Sequence, residues 1–134
     1  MEKVFIVDDD PDDRQIIMQA FVENHSQVGC LFFENAGQAL NKMNTESHEL
    51  PDLILLDLNM PGLSGLQALK EIRQNKKFAQ IPIVVLTTSQ LKKDKMSSYE
   101  LGANCFLTKP DSYSKLIRIV DAIIKLWLFE EPVG

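Results

Sequence analysis

Residues 51–65 read PDLILLDLNMPGLSG, and this stretch decides the fold of the 134-residue chain. Residues 53–56 form a short, unbroken apolar run, which is typical of a strand buried on both faces of a parallel sheet. The run ends at Asp57, and the Pro-Gly pair that follows it predicts a turn. Ser64 can cap a helix over residues 64–75, where apolar residues recur at helical spacing. The stretch therefore predicts a central strand, a carboxylate at its carboxyl end and a helix behind it.

Four further segments repeat this order of strand and helix. Apolar runs predict strands at residues 4–7, 28–33, 83–86 and 105–107. Helical patterns predict helices at residues 11–24, 37–43, 90–101 and 113–128. Five strand–helix repeats predict an α/β fold, in which right-handed crossovers place helices on both faces of one parallel sheet.

The bulk composition limits the class of protein. An apolar content of 45% and a charged content of 25% are ordinary for one globular domain of this length. The net charge of −5 argues against direct nucleic-acid binding, because the chain offers no basic face to neutralise phosphates. The sequence shows no membrane-spanning stretch and no signal-peptide architecture. With Cys30 and Cys105 far apart and no CxxC pair, we expect free thiols in a cytoplasmic protein.

Polar residues follow four of the predicted strands at the point where each strand ends. They are Asp8 with Asp9, Asp57, Thr87 and Lys109. Because the carboxyl ends of parallel strands meet at one edge of a sheet, we expect these side chains to converge. Two adjacent carboxylates repel each other, and a hard divalent cation such as Mg2+ would offset that repulsion. The sequence therefore predicts an acidic, cation-binding crevice at this edge.

Several of these polar residues also have a purely structural interpretation. Asp10 as an N-cap, with Asp12 and Asp13 in the first turn, is typical of a helix start. Ser89 is predicted to cap the helix over residues 90–101. Such local roles explain each residue singly, but they do not explain why carboxylates, a hydroxyl and a cation fall at equivalent strand ends.

Taken together, these motifs resemble the receiver domain of two-component response regulators, of the single-domain, chemotaxis-like type. The motifs that carry the resemblance are Val7-Asp8-Asp9, residues 57–65 (DLNMPGLSG), Thr87 after an apolar strand, and Lys109-Pro110. The start of the first helix (residues 8–14, DDDPDDR) also resembles regulators paired with bacterial phytochrome-type kinases.

The resemblance implies a flavodoxin-like fold, with five parallel strands in the order 2-1-3-4-5 and helices on both faces. It covers residues 3–128 as a receiver domain and leaves residues 129–134 as a short C-terminal tail. In that strand order Cys30 and Cys105 lie at opposite edges of the sheet, which excludes a disulfide between them.

The resemblance also implies the chemistry of the site. Asp57 would accept a phosphoryl group from a phosphohistidine on a sensor histidine kinase or phosphotransfer protein. The Mg2+ ligands would be Asp8, Asp9, Asp57 and the backbone carbonyl of Asn59. Lys109 would supply a second positive charge, since phosphoryl transfer depends mainly on positioning and charge neutralisation. Such a receiver catalyses its own phosphorylation and dephosphorylation and is otherwise not an enzyme.

Phosphorylation would act as a switch. The resemblance implies that the Thr87 hydroxyl moves towards the phosphoryl group while Phe106 turns inward, which changes the face formed by helix 4, strand 5 and helix 5. Extra apolar residues on and after the last helix predict a partner surface there, or a place on which the C-terminal tail folds back. These residues are Ile119, Leu126, Trp127 and Phe129. A homodimer through the face formed by helix 4, strand 5 and helix 5 is one such partner. Since no output domain is expected, the signal would pass through protein contacts or onward phosphotransfer.

Three other functions compete with this interpretation. A phosphohydrolase with an aspartyl nucleophile would need a second Asp as general acid, where this chain has Asn59. A nucleotide-binding module would need a glycine-rich turn, where this chain has residues 8–11 (DDDP). A degenerate receiver that is never phosphorylated and only docks partners stays open as the alternative function.

Overall fold

The computed structural model describes residues 2–24, 27–45, 50–60 and 62–128. Strands and helices alternate along the chain. The strands are β1 (Lys3–Val7), β2 (Gly29–Phe33), β3 (Leu53–Leu56), β4 (Ile83–Thr87) and β5 (Cys105–Thr108). The helices are α1 (Pro11–Asn24), α2 (Ala36–Thr45), α3 (Gly65–Gln74), α4 (Lys92–Glu100) and α5 (Tyr113–Trp127). A short 3-10 helix, Lys76–Phe78, lies between α3 and β4.

The strands form one parallel sheet in the order β2-β1-β3-β4-β5. The predicted flavodoxin-like topology is therefore confirmed. Because β3 lies at the centre of the sheet, all four of its side chains are buried, as the unbroken apolar run predicts. Cys30 in β2 and Cys105 in β5 lie on opposite edges, and both thiols are free.

The sheet separates two hydrophobic cores. Alternate residues of a strand point to opposite faces, so Phe5 joins the core beneath α2 and α3 while Ile6 joins the core beneath α1 and α5. Helices therefore cover both faces, as the five strand–helix repeats predict. No helix in the described part of the chain is long and apolar enough to cross a membrane.

The start of α3 agrees with the prediction for Ser64. Its hydroxyl accepts a hydrogen bond from the Gln67 amide, and the Gln67 side chain accepts one from the Ser64 amide. This capping box satisfies two amides at the helix start. The first helical residue, Gly65, lies against the chain after β3, and a Cβ there would be 2.5 Å from the carbonyl oxygen of Asp57. Helix α3 is thereby packed directly on the segment that carries Asp57.

The predicted cap at Ser89 is wrong. Helix α4 begins at Lys92, two residues later than predicted, and its N-cap residue Leu91 makes no side-chain capping bond. The Ser89 hydroxyl instead donates to the Asp94 carboxylate and accepts from the Leu91 amide. The hydroxyl thus binds the Asp94 side chain and the amide of the residue before the helix, instead of an amide within its first turn.

The apolar residues of α5 are less available than the sequence predicts. Ile119 and Trp127 are half-buried against the core beneath α1 and α5, because α5 packs on both α1 and the sheet. Leu126 is 71% exposed. Phe129 and the tail over residues 129–134 lie outside the described residues.

Candidate functional site

The sheet brings the predicted site residues to one edge. Asp8, Asp57 and Lys109 directly follow β1, β3 and β5, and Thr87 ends β4. Backbone hydrogen bonds continue the ladders past the strand ends, from the Asp57 amide to Val7 and from the Lys109 amide to Thr87. The convergence expected at the carboxyl ends of the strands is therefore what the fold produces.

Lys109 is the centre of the site. Its ammonium nitrogen lies 2.7 Å from Asp8 Oδ2, 2.8 Å from Asp13 Oδ2 and 3.2 Å from Asp57 Oδ2. The lysine side chain is 11% exposed, and that of Asp8 is 2% exposed. A lysine ammonium has three N–H donors, so these carboxylates use all of them.

Burial and ion pairing shift the pKa of Asp8, and likewise that of Lys109, in opposite directions. Burial raises the pKa of Asp8 above its ordinary value, and hydrogen bonds from Lys109 and the Asp10 amide offset only part of that rise. Burial alone would lower the pKa of Lys109, but hydrogen bonds to Asp13 and Asp8 and the charges of Asp8 and Asp57 raise it above its ordinary value. Lys109 is therefore a permanent cation at neutral pH.

The acidic cluster consists of Asp8, Asp9 and Asp57. One carboxylate oxygen from each lies within 4.8 Å of the others, and Asp9 is the exposed member. Hard divalent cations prefer carboxylate oxygens and retain bound waters, and an exposed side of the site leaves room for such waters. The donor set therefore fits a divalent metal ion.

Asn59 and Thr87 lie beside Asp57. The Asn59 amide donates to Asp57 Oδ1 over 3.1 Å, and its side-chain nitrogen lies 3.4 Å from the Thr87 hydroxyl. Thr87 is fully buried, and its hydroxyl also accepts a hydrogen bond from the Ser89 amide. The predicted acceptor, its neighbouring asparagine and the predicted switch threonine thus form one connected group.

Phe106 lies apart from this group, on β5. It is half-buried against the core beneath α2 and α3, and its amide donates to the Tyr99 hydroxyl over 3.0 Å. A groove of about 720 Å³ runs between α4 and β5 beside it. Leu91, Met96 and Tyr99 line the groove, and each is about half exposed.

Asp13 is the site residue that sequence analysis missed. A first-turn carboxylate is fully explained by the helix dipole, so its position in the sequence gives no reason to expect a second role. No signal in the sequence distinguishes Asp13 from Asp12, its neighbour in the first turn of α1.

Comparisons with known proteins place this geometry in a family. The model of the response regulator receiver domain matches residues 4–121. Response regulator Rcp1 of Synechocystis sp. is 47% identical over 83 residues, which are 62% of this chain and 56% of that protein. The alignment thus spans little more than half of the length of this curated relative.

Two solved structures have the same fold. The phosphorylated cyanobacterial phytochrome response regulator RcpA has a TM-score of 0.87 and 34% identity, with 95% of this chain and 94% of that chain covered. The Mn(2+)-bound form of Rcp1 has a TM-score of 0.87 and 33% identity, with coverage of 100% and 98%. The chain therefore belongs to the response regulator receiver domain family, and it resembles the single-domain regulators of cyanobacterial phytochromes.

Proposed function

We propose that residues 3–128 act as a phosphorylation switch, with Asp57 as acceptor of a phosphoryl group from a sensor histidine kinase or phosphotransfer protein. The observation that carries the proposal is the position of Asp57, whose two carboxylate oxygens contact Lys109 and the Asn59 amide. The side chain is buried yet borders the exposed Asp9, so a donor can reach it from the open side of the site.

The geometry suits the charge demands of phosphoryl transfer. Both Asp57 and the incoming phosphoryl group are anionic, so the reaction needs fixed positive charge more than it needs proton transfer. Lys109 already lies 3.2 Å from Asp57, and its pKa keeps it charged. The Asn59 amide orients the other oxygen of the acceptor.

Mg2+ is the proposed cofactor. Asp8, Asp9 and Asp57 would hold it, and the carbonyl of Asn59 is a further proposed ligand. When bound, the ion would neutralise the charge that develops on the phosphoryl oxygens. The Mn(2+)-bound form of Rcp1 supports the binding of a divalent ion, and the three-carboxylate cluster in this chain offers a place for it.

The loss of the phosphoryl group is proposed to be the protein's own reaction as well. Water must reach the acyl phosphate from the exposed side, where Asn59 contacts Asp57 and where the exposed Thr88 follows Thr87 in the chain. The bulk of Thr88 would slow this access. Sequence similarity to phytochrome regulators supports a phytochrome-type histidine kinase as the phosphodonor.

The proposed output is a change of protein contacts. On phosphorylation, the Thr87 hydroxyl would leave Asn59 and donate to a phosphoryl oxygen, and Phe106 would follow it inward. This shifts a two-state equilibrium of the face formed by α4, β5 and α5. The apolar groove beside Phe106 supports a partner or a second copy of the chain at that face.

The test of phosphorylation is intact-mass spectrometry after incubation with acetyl phosphate, with and without Mg2+. We expect a Mg2+-dependent gain of one phosphoryl group that is lost in Asp57→Asn. Asp52→Asn is the matched control, because Asp52 is an exposed carboxylate that contacts the amide of Lys3. No gain under any condition would refute the proposal and favour a degenerate docking receiver.

The test of the output is light scattering coupled to gel filtration, before and after phosphorylation. A phosphorylation-dependent increase in mass that disappears in Met96→Asp would support a homodimer through the groove. Leu31→Asp is the control, since Leu31 is similarly exposed but lies on β2 at the opposite edge of the sheet. A mass that never changes would contradict the homodimer.

A further inference from the structure

Asp13 forms a short ion pair with Lys109 that the proposed phosphorylation chemistry does not use. Its carboxylate lies 2.8 Å from the ammonium, and its side chain is 33% exposed. Of the three carboxylates around this ammonium, Asp8 and Asp57 belong to the acidic cluster, whereas Asp13 does not. Lys109 therefore has two partners that could also be metal ligands and one that could not.

The ammonium and a divalent ion compete for the same carboxylates, those of Asp8 and Asp57. Lys109 pairs with Oδ2 of Asp8 and Oδ2 of Asp57, and both carboxylates belong to the cluster suited to a metal. Two cations on the same carboxylates repel each other strongly in a partly buried site. A metal ion can enter more easily if the ammonium retains an acceptor on its far side.

We propose that Asp13 is a positioning residue, which holds Lys109 on the α1 side of the site and thereby favours a divalent ion at Asp8, Asp9 and Asp57. The inference rests on the metal-binding part of the proposed function. If Asp8 and Asp57 held a metal ion, the Asp13 carboxylate would still accept a hydrogen bond from the Lys109 ammonium. Without Asp13, Lys109 depends on the metal-binding carboxylates alone.

Two causes, which add together, predict that loss of the Asp13 charge weakens the binding of a divalent ion. Removing the Asp13 charge makes the site less negative, which weakens the attraction for any cation. It also leaves Lys109 more firmly paired with Asp8 and Asp57, which strengthens the competition. Only the second cause requires the contact with Lys109, so a charge-matched control separates the two.

Asp12 provides that control. It lies one residue earlier in the same helical turn, is exposed, and carries the same charge. Asp13→Asn and Asp12→Asn therefore change the net charge equally, but only the first removes an ion pair with Lys109. Both positions are at the surface or half-exposed, so each variant is expected to fold.

The experiment is a calorimetric titration of the unphosphorylated full chain with MgCl2. We expect the dissociation constant to rise roughly 3- to 10-fold in Asp13→Asn, and less than about 2-fold in Asp12→Asn, from the partial screening of exposed charges. In a Lys109→Met background the excess effect of Asp13→Asn over Asp12→Asn should shrink, because the residue through which Asp13 acts is gone and only the direct charge effect is left.

The outcomes separate this inference from the proposed function. If the wild-type chain does not bind Mg2+, the proposed metal site fails, and this inference fails with it. If the wild type binds and the two variants are alike, the metal site stands and the positioning role of Asp13 is refuted. An excess effect of Asp13→Asn that is undiminished in Lys109→Met would also refute it, because Asp13 would then act only through its own charge.

Discussion

The hydroxyl of Ser89 donates a 2.6 Å hydrogen bond to the carboxylate of Asp94, joining the loop after β4 to the first turn of α4. The Ser89 amide donates in turn to the hydroxyl of Thr87. A continuous path of hydrogen bonds therefore leads from the buried threonine to the start of α4. The start of that helix is therefore tied to the loop that directly follows the proposed switch residue.

Replacing Ser89 by Ala should destabilise the protein by about 1–2 kcal/mol, because a part-buried hydrogen bond to a carboxylate is lost. Urea unfolding measures the change in the free energy of unfolding. Gln90→Ala is the control, since Gln90 is the exposed neighbour in the same loop. Equal stabilities of the two variants would show that the contact with Asp94 contributes nothing.

Gly65 should not tolerate a side chain. An added Cβ would lie 2.5 Å from the carbonyl oxygen of Asp57 and 2.6 Å from the Cα of Leu58, and neither backbone atom can move freely. We expect Gly65→Ala to cost about 3 kcal/mol or more, and to slow phosphorylation by shifting the segment around Asp57.

Gly37→Ala is the matched control for this prediction. Gly37 lies in α2, and its added Cβ would approach nothing closer than the Asn35 side chain at 3.4 Å. Alanine in a helix should stabilise the protein by about 0.5–1 kcal/mol. The prediction for Gly65 would be wrong if thermal unfolding moved both variants in the same direction.

Most of the fold could be predicted because its signals are local and strong. A central parallel strand must be apolar on both faces, so the apolar run of β3 identifies a central strand without any information from the neighbouring strands. The strand-end rule then assigns Asp8, Asp57 and Lys109 to one edge. Asp13 could not be assigned in this way, because it also satisfies a local helix-start rule that hides its tertiary partner Lys109. Ser89 was assigned wrongly because α4 begins two residues later than its sequence pattern predicts, and its hydroxyl binds Asp94 instead.

Burial should make the thiol of Cys30 unreactive. Burial raises the pKa of this thiol to about 11, from 9.0 for an exposed thiol. At pH 8 the thiolate fraction, and with it the rate of reaction with Ellman's reagent, should be about 100-fold lower in the folded than in the urea-unfolded chain. The variant Cys105→Ser isolates Cys30 for this measurement.

The raised pKa of Cys30 also determines how the stability of the protein changes with pH. Because the folded pKa is the higher one, folding favours the protonated thiol. Its contribution to stability is therefore complete below about pH 9 and is lost as the pH rises towards 11. Cys30→Ala should reduce the loss of stability over this range relative to the parent Cys105→Ser chain. An identical pH profile in the two proteins would contradict burial as the cause.

Arg73 ties three segments together through its guanidinium. It donates to the carbonyls of Gly102, Phe78 and Ala79 and to the side-chain oxygen of Asn104. That oxygen also accepts a hydrogen bond from the amide of Ile83 at the start of β4. Burial lowers the pKa of Arg73 below its ordinary value, and these acceptors are neutral groups. The arginine thus links α3, the 3-10 helix and both ends of the loop between α4 and β5.

Arg73→Lys should therefore destabilise the protein by about 1–3 kcal/mol although the charge is kept, because an ammonium cannot reproduce a planar fork that reaches separate acceptors. The reciprocal substitution Lys70→Arg, on the exposed face one turn earlier in α3, should leave stability within about 0.5 kcal/mol. Urea unfolding compares the two directly. If both exchanges had the same small effect, charge alone would explain Arg73, and the link between these segments would have to come from apolar packing.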